Sequence, residues 1–158
     1  MKRSIIFLIA IVSSCCSVMA QSNNRPADED RTSFITKVLA EDVCFIDRQV
    51  AIESLPWNPH PTYKGVSLKH LIVGKDTGNQ LSCHIVRVEP DCILETHQHD
   101  GKIEIHEVVD GDGIMYLDDK EINYSVGQVC VIPANTLHKV VAGKNGLYLF
   151  AKFTPALQ

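Results

Sequence analysis

The sequence predicts an all-β chain, a jelly-roll barrel with a short helical or irregular segment in front of it. Short runs rich in β-branched and aromatic residues follow one another from Val66 to Phe153, and clusters of Gly, Pro, Asn and Asp divide them. No stretch between those runs shows the 3.6-residue period of a helix. A series of short strands with one apolar face each is best buried as two antiparallel sheets or a closed barrel, which also limits exposed edges.

At the start of the chain, Lys2 and Arg3 precede an apolar run from Ile5 to Val12, and Val18-Met19-Ala20 leads into polar Gln21. These are the three parts of a secretory signal, so residues 1–20 are read as a signal peptide and the protein as exported, periplasmic or secreted. The apolar run is too short to span a bilayer. Val12-Ser13-Ser14-Cys15 also looks like a bacterial lipobox, which makes a lipid anchor at Cys15 the alternative. Residues 21–64 form a leader and wrapping segment. It is polar at first, then carries a weak helical pattern from Thr32 to Asp42 with Phe34, Ile35, Val38 and Leu39 on one side. Ile52 to Tyr63 holds three prolines and Trp57, and is expected to cover a barrel edge or rim.

The barrel domain is read as residues 65–155. Its expected strands are Val66 to Val73, Leu81 to Glu89, Ile93 to His99, Ile103 to Val109 and Ile114 to Leu117. Then come Glu121 to Tyr124, Gln128 to Ile132, His138 to Ala142 and Leu147 to Phe153. Gly111-Asp112-Gly113 and Gly143-Lys144-Asn145-Gly146 are read as breaks between strands, and Asp118-Asp119 as a hairpin turn.

Within this series, His97-Gln98-His99 places two imidazoles on one face of a strand, because side chains alternate with a period of two. Asp100-Gly101 then turns the chain, and Glu104 opens the next strand. Two neutral nitrogens and a carboxylate from adjacent strands make most of a divalent-metal site. His138, opening a late strand, is the candidate fourth ligand. His106 shares the parity of Glu104 and is the candidate acid or base beside the site, against the alternative of a buried, hydrogen-bonded histidine. Glu107 has the opposite parity and is expected outside. Tyr116, Tyr124 and Tyr148 could each offer a hydroxyl to the interior. His84 and Arg87 have opposite parity, so only one of them faces inward.

These residues carry a resemblance. Asp91, His97, His99, Glu104 and Gly111 stand in the order and spacing of the first cupin motif, and Gly127, Pro133, Asn135 and His138 in those of the second. The chain thus resembles a small single-domain secreted cupin. The resemblance implies a double-stranded β-helix holding one metal through His97, His99, Glu104 and His138, and it implies a homodimer. Asp91 and Asn135 stand where cupins often have glycine, but Asp and Asn tolerate left-handed backbone best among other residues. Ala142 replaces the asparagine that ends the second motif. Three imidazoles and a carboxylate suit zinc, iron(II), manganese, nickel or copper.

Three functions remain open at this point. One is a metalloenzyme acting on a small polar metabolite by oxygenase, isomerase or lyase chemistry. The second is a non-catalytic binder of a sugar or organic acid. The third is a storage or interaction protein with an idle site. The net charge of −4 and the lack of a basic run argue against nucleic acid as a partner. No nucleophilic-serine or dinucleotide motif is present. Cys44, Cys83, Cys92 and Cys130 could pair in three ways or act as buried free thiols.

Overall fold

The computed structural model describes residues 33–157. The signal segment, Cys15 and the polar leader lie outside the described residues. Helix α1 spans Phe34–Leu39, shorter than the Thr32 to Asp42 pattern. It stops early because Asp42 already begins β1 (Asp42–Cys44), which pairs antiparallel with β2 (Gln49–Ala51), a hairpin the sequence pattern does not reveal. A helix of this length is unstable alone, so burial of Ile35 against the barrel holds it in place.

The barrel contains β3 (Asn58–Pro59), β4 (Val66–Ile72), β5 (Ser82–Val88), β6 (Ile93–His97), β7 (Ile103–Leu117), β8 (Lys120–Ser125), β9 (Val129–Ile132) and β10 (His138–Thr154). Two of the expected breaks are corrected here. The runs on either side of Gly111-Asp112-Gly113 are one strand, β7, and those on either side of residues 143–146 are one strand, β10. The two strands lie side by side and bend together. Residues 143–146 bulge opposite Asp112, so that Ala142 faces Gly113 and Leu147 faces Gly111.

Glycine is required at this corner for contact as well as conformation. Gly111 has φ +76°, and a Cβ there would sit 2.0 Å from the carbonyl oxygen of Gly146. The glycines therefore let two continuous strands turn a corner without ending them. Through that corner, β7 and β10 each serve both layers of the jelly roll. Their outer halves join β3, β4, β5 and β9 in one layer, and their inner halves join β6 and β8 in the other.

Side chains of both layers meet in one core, which includes Val86, Val88, Leu94, Val108, Met115, Val140, Leu147 and Leu149. A second apolar cluster lies on the outside of the larger layer. Ile85, Val109, Tyr148 and Phe150 point out there and are covered by Ile35, Ile52 and Trp57. The wrapping segment thus covers a sheet face, and its β3 also pairs with β4. Trp57 packs edge-on against Tyr148, with the Arg87 guanidinium 4.7 Å from its ring centroid.

Lys69 fastens this cover. It is only 3% exposed, and its Nζ donates to the carbonyl oxygens of Ile52 (2.8 Å), Glu53 (3.3 Å) and Leu55 (2.5 Å). These carbonyls belong to a one-turn 3-10 helix, Ile52–Ser54, and its end, which would otherwise lack donors. We expect Lys69→Met to lower unfolding free energy by about 1–3 kcal/mol, the usual cost of leaving buried acceptors unmet. Chemical denaturation monitored by Trp57 fluorescence checks this.

Candidate metal centre

Strand β6 ends at His97, and His99 lies two residues beyond it, in the turn before β7. The expectation of two imidazoles on one regular strand is therefore corrected, although both still reach the same point. The turn is held from outside. The His99 carbonyl accepts the N–H groups of Asn135 (3.1 Å) and Lys102 (3.4 Å), and the Gly101 N–H donates to Asn135 Oδ1 at 3.0 Å. Asn135 has φ +63° and Asp91 φ +57°, the left-handed backbone expected at both positions. Asparagine adds what glycine could not, a side-chain bond joining the two motif loops.

The pairing of β6 with β10 sets His97 opposite His138, and Glu104 enters from the start of β7. One ligand atom from each of His97, His99, Glu104 and His138 lies within 4.8 Å of all the others. Two of the rings are aimed by the backbone. His97 Nδ1 lies 2.7 Å from the Glu95 carbonyl oxygen and His138 Nδ1 lies 2.9 Å from that of Thr136. A carbonyl can only accept, so Nδ1 carries the proton and Nε2 of each neutral ring presents a lone pair.

His138 Nε2 stands 3.1 Å from Glu104 Oε2, with His99 Nε2 at 3.3 Å from the same oxygen. The approach between His138 and Glu104 lacks hydrogen-bond alignment, and both atoms are buried without a partner. Two acceptors facing each other away from water repel, and only a proton or a cation between them relieves that. The donor set and its orphaned pair fit a divalent metal.

Without a metal, protons take that place. Burial pushes the Glu104 carboxyl upward, but the imidazoles of His106, His138 and His99 outweigh it and hold the group well below the usual carboxylate range. Burial likewise pulls His138 down, yet Glu104 and the Thr136 carbonyl leave it raised. Burial, then the neighbouring His138, lowers His97 to about 4.

The second carboxylate oxygen is held from behind. His106 Nε2 lies 2.7 Å from Glu104 Oε1, and its Nδ1 lies 3.1 Å from the Tyr124 hydroxyl. His106 is 1% exposed. The His106 ring thus bridges the Tyr124 hydroxyl and Glu104 Oε1, a chain that fixes the carboxylate.

Over the cluster lies a cavity of about 80 Å³. Val66, Leu68, Val86, Leu94, Phe153 and Leu157 wall it, with His60, His97, His99 and Glu104. His106 is not among the lining residues. A larger depression of about 370 Å³ lies beside Tyr116 and the Asp118-Asp119 turn, and His138 is among its lining residues.

The other candidates divide as follows. Tyr124 turns its hydroxyl to His106, Tyr148 packs on Trp57, and Tyr116 lies under the Lys139 ammonium. Glu107 faces outward and accepts from Lys152 at 2.5 Å. Of the pair on β5, His84 points inward and Arg87 outward, the latter donating to Ser67 Oγ at 3.1 Å. His84 Nδ1 lies 2.9 Å from His70 Nδ1 and its Nε2 3.0 Å from Ser82 Oγ. Burial, aided by His70, lowers His84 to about 4. The His70–His84 cluster carries no motif spacing, so parity along its strands was the only signal, and His60, which lies beyond β3 and outside any strand, had none. The four cysteines of the described residues are free, and burial raises the Cys83 thiol to about 11. Replacing His106 by Leu removes the donor to Glu104. Metal affinity is then expected to fall by about 10–100-fold, measured by competition with a chromophoric chelator.

Residues 84–148 match the family model of the cupin domain. Among solved structures, the fold is similar to a predicted oxalate decarboxylase from Thermotoga maritima, with 20% identity and a TM-score of 0.62 over 67% of this chain and 97% of that one. It is also similar to KdgF from Halomonas sp., with 22% identity and a TM-score of 0.57 over 65% and 90%. An RmlC-like cupin from Shewanella frigidimarina shares 18% identity and a TM-score of 0.58 over 67% and 88%. No curated protein sequence matches the chain. Motif, barrel and converging ligand set agree with the family model, and residues 84–148 form a cupin domain.

Proposed function

We propose that this protein is an exported, metal-dependent cupin that holds one divalent transition metal through His97, His99, Glu104 and His138 and acts on a small molecule in the cavity beside it. The buried, mutually facing acceptors Glu104 Oε2 and His138 Nε2 carry this reading. Zinc, iron(II), manganese, nickel and copper all suit the donor set. Such an ion supplies Lewis acidity toward a carbonyl or carboxylate, or, if redox-active, reactivity toward dioxygen.

The chain's own groups define the rest. His106 and Tyr124 hold Glu104 in one orientation, and apolar walls line the cavity beside His97, His99 and Glu104. His106 binds Glu104 Oε1 and is not among the residues lining the cavity, so its role is to position the carboxylate. Oxygenase, isomerase and lyase chemistry all remain compatible with these parts. A second reading, a non-catalytic binding protein, is favoured by one observation: outside the ligand cluster, His60 is the sole acid or base in the cavity wall.

Elemental analysis of native protein is expected to give one transition metal per chain, lost in His138→Ala. A chain that carries none and takes up none on reconstitution is not a metalloprotein. With metal bound, ligand stabilisation without turnover would support the binding reading.

We also propose that the chain leaves the cytoplasm and pairs as a homodimer through β9. Val129 and Val131 on that strand are 53% and 57% exposed, and β9 is paired only with β7. Trp57, the other candidate contact, is already engaged within the chain. Among the described residues no helix is long and apolar enough to cross a membrane. Native mass spectrometry of protein from its source is expected to show two copies, each cut after Ala20 or lipidated at Cys15. A full-length monomer contradicts both points.

A further inference from the structure

We infer that the cavity selects a short-chain aliphatic monocarboxylate, bound with its carboxylate at the metal and its alkyl chain against the apolar walls. The inference rests on the metal reading above and narrows its small molecule to one with a single polar end.

The walls argue for the alkyl chain. Beyond the ligand cluster and His60, every lining side chain is aliphatic or aromatic. No Lys, Arg, Asn, Gln, Ser or Thr is among them, so a sugar's hydroxyls would lose water without gaining a partner. Charge argues for one carboxylate. A divalent ion with Glu104 leaves one net positive charge, enough to balance a single carboxylate. A second carboxylate would be buried with no cation to meet it.

The size argues for a short chain. About 80 Å³ holds roughly three waters at about 30 Å³ each. His60 supplies one further feature. Its Nδ1 accepts the backbone N–H groups of Thr62 (3.2 Å) and Tyr63 (3.1 Å), which leaves the proton of the neutral ring on Nε2. That N–H is a single donor, suited to the carboxylate oxygen that the metal does not take.

The test uses cobalt(II)-loaded protein, because the visible bands of bound cobalt report both metal uptake and ligation. Acetate, propionate, butyrate, succinate and gluconate are titrated in turn. Affinity is expected to rise about fourfold per methylene from acetate to butyrate, the usual yield of burying one such group. Succinate and gluconate are expected to bind at least tenfold more weakly than butyrate. Leu68→Ala is expected to weaken butyrate and to favour a longer chain, such as valerate. His60→Phe is expected to weaken all the monocarboxylates alike without changing the slope with chain length. A flat chain-length series, or gluconate or succinate binding as tightly as butyrate, overturns the inference while leaving the metal site intact. No cobalt spectrum at all overturns the metal reading and this inference together.

Discussion

Everything about the site turns on one electrostatic constraint. Glu104 Oε2 and His138 Nε2 are buried 3.1 Å apart with no hydrogen-bond partner. Left alone, two lone pairs so placed repel in a low-dielectric interior. In the metal-free chain only a proton relieves the contact, which is why His138, pulled down by burial, is nonetheless left raised by Glu104. The Thr136 carbonyl holds the His138 proton on Nδ1, and His106 holds the other carboxylate oxygen. Both fix the unpaired atoms where they are. A fold that aims two acceptors at one point and locks them there is organised around a positive charge at that point.

The barrel's two long strands make this aim possible. Glu104 sits at the start of β7 and His138 at the start of β10, at opposite ends of a pair that runs antiparallel through both layers. Glu104 lies opposite Phe153 and His138 opposite Leu117. The bend at Gly111 and residues 143–146 folds those two ends toward each other. Had the strands stopped at the glycines, the halves would belong to separate hairpins, free to shift relative to one another. Continuity through the corner ties the carboxylate and the imidazole to one rigid frame.

The N-terminal segment plays a different part. It covers the outer face of the larger layer with Ile35, Ile52 and Trp57, and Lys69 locks the cover by meeting three carbonyls of its turn. It also reaches the site, since His60 lies in the cavity wall and stacks on Tyr63 at 4.4 Å between ring centroids. The same stretch thus shields a sheet and contributes to the cavity lined by His97, His99 and Glu104.

Much of this was legible in the residues alone. Alternation and turn chemistry gave the β class, and His97, His99 and Glu104 gave most of a ligand set, because both are local patterns. The complete set with His138 was implied by the resemblance of the two motifs to those of cupins. Positive φ at Asp91 and Asn135 followed from the chemistry of those side chains. Other features depend on partners distant in sequence. Whether Gly111 ends a strand or bends it depends on how closely Gly146 approaches, a contact no local pattern encodes. The bond from Asn135 to Gly101, the Tyr124–His106–Glu104 chain and the place of His60 are likewise set by register between strands. Sequence by itself determined which groups could bind a metal. The tertiary structure decided which of their atoms face one another unpaired, because lone-pair direction follows from what holds the far side of each ring.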